Sequence, residues 1–332
     1  MTERHHSLPQ GRPTPLGPAA GDRRVRRAPR TTRALRWIAI VVALPAVACA
    51  SRALLPPVEW SEIANATVPA ADQRISYGPD TLQYGELRLP SGDGPFPIAV
   101  VIHGGCWQAE YDLRHAAAES EALRAAGIAT WTIEYRRIGN PGGGWPGTFA
   151  DITRAIDFLP QLAARAGRLD AARVILIGHS AGGHLALWAA SRAPDSDGAA
   201  NAPTPPSLPL QGVVSLAGIT DLRAYGAQPG SCNSAVPQLL GGTPDEYDAR
   251  YSAANPVELV PLRAPVRLVH GALDPIVPPA QSHGFAARSR EAGGRATVTI
   301  VDGAGHFDMI APHAPAWREV VRAARELLDA DG

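Results

Sequence analysis

The chain has 332 residues, enough for one large domain or two small ones, and 45% of them are hydrophobic while 19% are charged. This composition is ordinary for a soluble globular enzyme. All basic residues are arginine, and from residue 51 onward 22 arginines face 29 acidic residues, which argues against a nucleic-acid partner because phosphate binding needs a basic face.

Residues 1–50 have the composition of an export leader rather than of a folded domain. Nine arginines lie in the first 36 positions, and the apolar run WIAIVVALPAVACA follows at 37–50. A basic stretch, a short apolar core and the small residues Ala48 and Ala50 are typical of a secretory signal cleaved before Ser51. The run is shorter than the roughly 20 residues of a membrane-spanning helix. We therefore expect an exported protein, either secreted or periplasmic.

Three alternatives remain open for this leader. An uncleaved segment would attach the protein to a membrane through residues 37–50. Lipidation of Cys49 is a second alternative, although Ala46 fits a lipoprotein signal poorly. The third is that the long basic stretch includes mistranslated upstream sequence.

Export would expose Cys106 and Cys232 to an oxidising compartment. The sequence does not say whether the two cysteines pair, so a bridge and two unrelated small residues are equally open. Neither cysteine lies in a C-x-x-C motif or a His-rich cluster, so no metal site is expected.

The predicted elements begin after a linker at 51–72. Alternating residues predict an antiparallel strand pair at a sheet edge, Gln73–Tyr77 and Gln83–Leu89. Short apolar runs then predict strands at Ile98–Ile102, Ala129–Glu134, Val174–Ile177, Gly212–Leu216, Val266–Val269 and Thr297–Val301. Stretches of helical period separate them at Glu110–Ala126, Phe149–Ala166, Gly183–Arg192, Pro279–Ala292 and Pro315–Asp329.

This alternation predicts an α/β fold, with a mostly parallel twisted sheet of about eight strands and helices on both faces. One catalytic domain is expected at 73–330. Residues 193–209 form a polar, Pro-rich surface loop in this prediction, and residues 225–256 form a cap segment beside the site. Ligands of such sheets bind beyond the carboxyl ends of the strands, so the residues after each apolar run are the informative ones.

The first motif predicts a nucleophile at Ser180. The sequence GHSAG at 178–182 follows the strand at Val174–Ile177 and precedes a helix, which is the context that G-x-S-x-G requires. The turn is so sharp that side chains at Gly178 and Gly182 would clash with backbone. An ordinary Gly-rich turn with an incidental serine is the alternative.

The second motif, HGGCW at 103–107, predicts an oxyanion hole. Acyl transfer passes through an oxyanion that needs preorganised donors. The backbone N–H groups of Gly104, Gly105 and Cys106, with that of Ala181 after the nucleophile, would supply them.

Two further side chains belong to the same motif. We expect His103 to be structural and to bond within its own loop. Trp107 would either line the substrate pocket or pack in the core.

A base and its orienting acid follow two late strands. Asp274 comes after Val266–Val269, and His306 comes after Thr297–Val301, in the chain order Ser, Asp, His. Asp221 is the best alternative acid. The remaining candidates are more simply explained as surface or structural histidines: His184, His270, His283 and His313.

These motifs together resemble the α/β-hydrolase superfamily. The matching stretches are HGGCW at 103–107, EYRRIG at 134–139, GHSAGGHLA at 178–186, HGALDPIVP at 270–278 and GAGHFDMI at 303–310. Within the superfamily they are similar to the branch of kynurenine formamidase-type and bacterial carboxylesterase-type enzymes. The resemblance covers roughly residues 75–330 and implies the catalytic roles already assigned to Ser180, Asp274 and His306.

The predicted function is a serine esterase that cleaves a small-molecule carboxylic ester without a cofactor. The first alternative is a formamide or amide hydrolase with the same triad. A second alternative is a prolyl-oligopeptidase-like peptidase, but the sequence shows no propeller-sized N-terminal domain that would favour it. The alternative from another class is a non-catalytic binding module on the same scaffold.

Overall fold

The computed structural model describes residues 55–192, 209–230 and 232–329. These residues form one eight-stranded sheet whose strands are β1 (Gln73–Ser76), β2 (Tyr84–Arg88), β3 (Phe96–Ile102), β4 (Ala129–Ile133), β5 (Leu169–His179), β6 (Leu210–Leu216), β7 (Val266–Gly271) and β8 (Ala296–Val301). Their spatial order is β1-β2-β4-β3-β5-β6-β7-β8. β1 and β2 pair antiparallel, β2 pairs antiparallel with β4, and the other pairs are parallel. The predicted mostly parallel sheet and its antiparallel edge are confirmed.

Helices connect the strands and lie on both faces of the sheet. They are α1 (Trp60–Ala64), α2 (Ala117–Ala125), α3 (Gly147–Asp157), α4 (Leu159–Ala166), α5 (Ala181–Ala190), α6 (Leu222–Gly226), α7 (Ala235–Leu240), α8 (Asp248–Ala254), α9 (Ala280–Glu291) and α10 (Trp317–Leu328). Short 3-10 helices occur at Leu113–Ala116, Pro256–Glu258 and Phe307–Ile310.

The central strands are apolar on both sides because each side is covered. Along β3, Val100 and Ile102 belong to one buried apolar layer, and Ala99 and Val101 belong to the other. Successive strand residues point to opposite faces, so an unbroken apolar run fills both layers at once. The two layers hold the carboxyl ends of the parallel strands in fixed positions.

Two predicted helices differ from the observed ones by more than a shift of two residues at their ends. The predicted helix Glu110–Ala126 starts late, because the Asp112 side chain accepts the Arg114 N–H and begins a 3-10 turn there. The predicted helix Phe149–Ala166 is divided at Phe158. Pro160, in the first turn of α4, lacks the N–H that a continuous helix would need.

The stretch predicted as a linker, residues 51–72, contains α1. Val58 and Ile63 of this stretch are buried in one of the apolar layers. The predicted leader at 1–50 and nearly all of the predicted loop at 193–209 lie outside the described residues. Among the helices of the described part, none combines the length and the apolar character needed to cross a bilayer.

Glu119 on α2 is a carboxyl group buried without a partner. Its side chain has no solvent exposure, and neither carboxyl oxygen has a hydrogen-bond partner among the described residues. Burial alone raises the pKa of Glu119 to about 8. The folded protein therefore holds this proton at pH values where the unfolded chain has already released it.

We predict that Glu119→Gln flattens the pH dependence of stability. Between about pH 5 and pH 8 the unfolded state loses the proton first, so the free energy of unfolding of the native protein falls as pH rises, by up to about 1.4 kcal/mol per pH unit. The variant should lack this contribution. Urea unfolding between pH 5 and pH 9 measures the slope. Glu110→Gln, the same change on an exposed residue, is the matched control, and equal slopes in the two variants would contradict the prediction.

Candidate active site

Ser180 lies on the sharp turn between β5 and α5, as the sequence predicts. Its φ of 55° and ψ of −117° belong to a region that side chains rarely adopt. A Cβ at Gly178 would overlap the carbonyl oxygen of Gly182, and a Cβ at Gly182 would overlap that of Ile102. The close backbone packing therefore requires glycine at both positions and holds Ser180 at the carboxyl edge of the sheet.

His306 and Asp274 form a direct pair in the loops that follow β8 and β7. The His306 Nδ1 atom lies 2.6 Å from Asp274 Oδ2, and both side chains are almost fully buried. Because the carboxylate only accepts, Nδ1 carries the hydrogen and donates it, which leaves Nε2 of His306 as the basic nitrogen. Ser180 Oγ makes no hydrogen bond within the described residues and is only slightly exposed.

Asp274 is held ionised by several donors. Its Oδ1 accepts the N–H groups of Ile276 at 2.8 Å and Val277 at 2.9 Å. Its Oδ2 also lies 3.2 Å from Nε2 of His270. Burial raises the pKa of Asp274, but the hydrogen bonds from His270 and His306 outweigh burial, so this pKa lies well below its ordinary value. Asp274 is therefore stabilised as a carboxylate beside His306.

His270, which the sequence analysis treats as a structural histidine at a strand end, is a second imidazole on Asp274. Its Nε2 also lies 2.8 Å from the carbonyl oxygen of Val277, so Nε2 carries a hydrogen. Its Nδ1 lies 2.7 Å from Ser282 Oγ on α9. The side chain is fully buried. His270 therefore has a structural role, because it fixes the Asp274 carboxylate.

The oxyanion loop, residues 104–106, lies beside the nucleophile turn. A Cβ at Gly104 would be 2.9 Å from the carbonyl oxygen of His179, the residue before Ser180. Gly105 has φ 99° and Cys106 has φ 51°. Among the described residues, no acceptor receives the N–H groups of Gly104, Gly105 and Cys106. These donors are therefore unengaged at the position where the sequence analysis expects an oxyanion hole.

A buried polar network supports this loop from behind. His103 Nδ1 lies 2.8 Å from the carbonyl oxygen of Gly104 and must donate to it. His103 Nε2 lies 3.1 Å from Glu134 Oε1, which also pairs with Arg137 at 2.8 Å. Because C=O and N–H point in opposite directions across a trans peptide, the Gly105 N–H faces away from His103. The expectation that His103 is structural and bonds within its loop is confirmed.

His179 and His115 form a buried pair that contacts the loop of His306. His179 Nε2 donates to the carbonyl oxygen of His306 at 3.0 Å, so His179 Nδ1 accepts from His115 Nε2 at 2.9 Å. Burial lowers the pKa of both histidines well below the ordinary value. The neutral pair fixes the backbone of His306 against the residue that precedes Ser180.

Asp308 joins the loop of His306 to the chain before α1, and we call its contacts with Val58 and Gly305 the N-terminal clamp. Asp308 Oδ2 accepts the N–H of Val58 at 2.9 Å and the N–H of Gly305 at 2.9 Å. The Trp60 ring lies 5.6 Å from the Phe307 ring. Residues placed in the predicted linker therefore touch the loop that carries His306.

Trp107 and His184 pack against each other in the core. Trp107 is fully buried, and its Nε1 donates to His184 Nδ1 at 3.2 Å. His184 Nε2 donates to the carbonyl oxygen of Ala254 at 2.9 Å, and burial lowers the pKa of His184 to about 4. Packing of His184 is confirmed. A pocket role for Trp107 stays a prediction, and its full burial favours the packing alternative.

Asp221, the alternative acid, has a structural task in the fold. Its side chain accepts the Ala224 N–H at 3.0 Å and caps the start of α6. It also lies 3.3 Å from the side-chain nitrogen of Asn255. The structure gives Asp221 no contact with His306, whereas Asp274 has one.

Residues 86–288 match the family model described as BD-FAE, which is more than half of the chain. The chain belongs to the BD-FAE family. The members of this family are α/β-hydrolase esterases, so the resemblance stated from the sequence is confirmed at the level of the superfamily.

Two curated relatives of this BD-FAE chain come from Mycobacterium tuberculosis. Esterase LipC is 28% identical over 246 residues, which cover 72% of the chain and 60% of LipC. Esterase LipQ is 30% identical over 212 residues, which cover 62% of the chain and 48% of LipQ. The matched part of the BD-FAE chain thus spans only about half of each relative's length.

Two solved structures share the fold of this BD-FAE chain. A truncated carbohydrate esterase from gut microbiota has a TM-score of 0.66 at 21% identity, covering 83% of the chain and 100% of that structure. Esterase B from Lactobacillus rhamnosis has a TM-score of 0.68 at 18% identity, covering 81% and 90%. These likenesses establish the α/β-hydrolase fold.

We predict that Asp308→Ala destabilises the protein because it leaves the buried N–H groups of Val58 and Gly305 without an acceptor. The expected loss in the free energy of unfolding is roughly 2 to 4 kcal/mol. Asp308→Asn is the matched control, since its amide oxygen can still accept both N–H groups, and it should lose less than half as much. Urea unfolding measures both variants. Equal losses would show that the clamp contributes nothing beyond the buried charge.

Proposed function

We propose that the chain is a cofactor-free carboxylic-ester hydrolase in which Ser180 is the nucleophile, His306 the base and Asp274 the orienting acid. The observation that carries the proposal is the 2.6 Å contact between His306 Nδ1 and Asp274 Oδ2, beside a strained serine turn. The small-molecule substrate would enter at the carboxyl edge of the sheet. The proposed reaction at this edge uses protein groups and water, without a metal ion.

The first half-reaction forms an acyl-enzyme. His306 Nε2 takes the proton of Ser180 Oγ while this oxygen attacks the ester carbonyl carbon. The carbonyl oxygen becomes an oxyanion that the N–H groups of Gly105, Cys106 and Ala181 stabilise. The bond to the alcohol oxygen then breaks, and His306 gives its proton to the departing alkoxide.

The second half-reaction releases the acid. His306 takes a proton from water, and the resulting hydroxide attacks the acyl carbon. Ser180 Oγ leaves with the proton that His306 returns. Asp274 stays ionised throughout, and its charge stabilises the imidazolium form of His306 in both steps.

The relatives support the ester over the amide. LipC and LipQ are both esterases by name. Neither supports the formamide alternative. Because each is much longer than the matched part of this chain, the activity remains a proposal for this protein.

We also propose that the protein is exported. The support is the predicted signal at residues 37–50 together with a disulfide between Cys106 and Cys232. Disulfides persist in oxidising compartments and are rare in the cytosol. A fractionation of cells that express the full chain tests this, and recovery of the protein in the cytosolic fraction would contradict it.

We predict fast, Ser180-dependent cleavage of short p-nitrophenyl esters by the full chain. Graded acyl lengths are compared with N-formylkynurenine, and Ser180→Ala and His306→Ala should lower turnover at least about 1000-fold without unfolding the protein. Ser91→Ala is the matched control, because Ser91 is exposed and precedes β3, at the opposite edge of the sheet. A strong preference for the formamide would support the amide hydrolase, and an inert Ser180 would support a binding module.

We predict that Asp274→Asn is far more damaging to turnover than Asp221→Asn. The first change removes the carboxylate that orients His306, and the second only weakens the cap of α6. We expect a loss in kcat of at least about 100-fold for Asp274→Asn and less than about threefold for Asp221→Asn. Steady-state kinetics of both folded variants decide this, and the reverse ranking would show that the acid is misassigned.

A further inference from the structure

Cys106 of the oxyanion loop is covalently joined to the predicted cap segment. It forms a disulfide with Cys232, with a Cα–Cα distance of 5.0 Å and a sequence separation of 126 residues. Cys232 lies in the segment at 225–256 and is buried. The sequence alone leaves this pairing open.

The loop around Cys106 has a backbone that needs external support. Gly105, Cys106 and Trp107 have φ values of 99°, 51° and 57°. Left-handed conformations at residues with side chains cost about 1 to 3 kcal/mol each and persist only when the surroundings hold them. The carbonyl groups of Gly105 and Trp107 are held, because they accept the N–H groups of Gln108 at 2.9 Å and Ile138 at 2.8 Å.

The peptide that carries the Cys106 N–H is therefore held through the Gly105 carbonyl, whereas the peptide that carries the Cys106 carbonyl has no such contact in the described part of the chain. Neither the N–H nor the carbonyl group of Cys106 itself makes a hydrogen bond within the described residues. The disulfide adds a covalent contact at the Cys106 side chain, between the two anchored carbonyl groups. In the proposed reaction the Cys106 N–H is one of the donors to the oxyanion.

The other end of the disulfide is well anchored. The carbonyl oxygen of Cys232 accepts the Ala235 N–H at 3.2 Å, at the start of α7. The neighbouring Asn233 side chain donates to the carbonyl oxygen of Tyr225 at 2.7 Å. Tyr225 in turn donates its hydroxyl to the carbonyl oxygen of Ile276 at 3.0 Å. The Ile276 N–H binds Asp274, so the same segment contacts both the oxyanion loop and the acid loop.

We propose that the Cys106–Cys232 disulfide is a positioning element for the oxyanion hole. Together with the hydrogen bond from Gln108 to the Gly105 carbonyl, it holds the Cys106 backbone in the left-handed conformation, so that the N–H is oriented before the transition state forms. Cys232 acts through Cys106 and does not touch the reacting atoms. This inference rests on the proposed esterase function and assigns one covalent contact to its transition-state stabilisation.

Reduction should therefore slow the enzyme. Dithiothreitol transfers two electrons and two protons to the disulfide, giving two thiols and its own cyclic disulfide. Loss of a complete oxyanion donor lowers kcat by 100- to 1000-fold in other hydrolases, so a loosened donor should lower kcat by at least about tenfold. KM should change less than about threefold, because the donor acts mainly on the transition state.

The test uses Cys232→Ser and Cys232→Ala in the full chain, which leave every residue of the triad and the oxyanion loop unchanged. All proteins in the test carry Cys49→Ser, so that Cys106 and Cys232 are the two cysteines of the reference protein. The Cys49→Ser protein is also the control for the loss of a cysteine. Kinetics with a short p-nitrophenyl ester are measured well below each unfolding midpoint, with and without dithiothreitol, and free thiols are titrated. We expect both Cys232 variants and the reduced native pair to share a lowered kcat, and dithiothreitol to leave the variants unaffected.

The possible results separate the two proposals. If the native chain turns over no ester, the proposed esterase function is wrong, and so is the positioning role of the disulfide. If the native chain is active and Cys232→Ser lowers the unfolding midpoint but keeps kcat, the disulfide serves stability alone and the positioning role is wrong. The positioning role is also wrong if Cys232→Ser raises KM at an unchanged kcat, or if the native pair titrates as two free thiols before reduction.

Discussion

The turn between β5 and α5 brings two backbone segments so close that no side chain fits at Gly178 or Gly182. The rest of the site depends on this contact. It forces Ser180 into a strained conformation at the carboxyl edge of the sheet and starts α5 directly behind it. The strands on either side then bring the oxyanion loop and the loops of Asp274 and His306 to the same edge.

Each loop of the candidate site is fixed by contacts with residues outside that loop or by hydrogen bonds within it. Asp274 receives two backbone N–H groups and a second histidine. The loop of His306 is bound by His179 and by Asp308. The oxyanion loop is held by His103 and by a disulfide. Fixed groups reorganise little during a reaction, which is the condition for strong electrostatic stabilisation of a transition state.

The order and type of the elements follow from local patterns in the sequence. The apolar β-branched runs identify the strands because both faces of the sheet are covered. Pair contacts between distant residues leave no such pattern. Asp308, the sixth residue of the GAGHFDMI stretch, binds Val58 through its side chain, and His115 forms a hydrogen bond with His179, 64 residues further along the chain. The pairing of Cys106 with Cys232 likewise depends on how the segment at 225–256 folds back, which periodicity does not specify.

The N-terminal clamp at Asp308 limits where a tag or another domain can be joined to this protein. One carboxylate oxygen holds both the chain at Val58 and the loop before His306. An affinity tag, a reporter domain or a surface linker joined within residues 57–63 would displace the Val58 N–H from that oxygen and disturb the loop that carries His306. Cargo joined after Leu328, the last residue of α10, is remote in sequence from Val58 and Gly305, so we expect that position to suit immobilisation better.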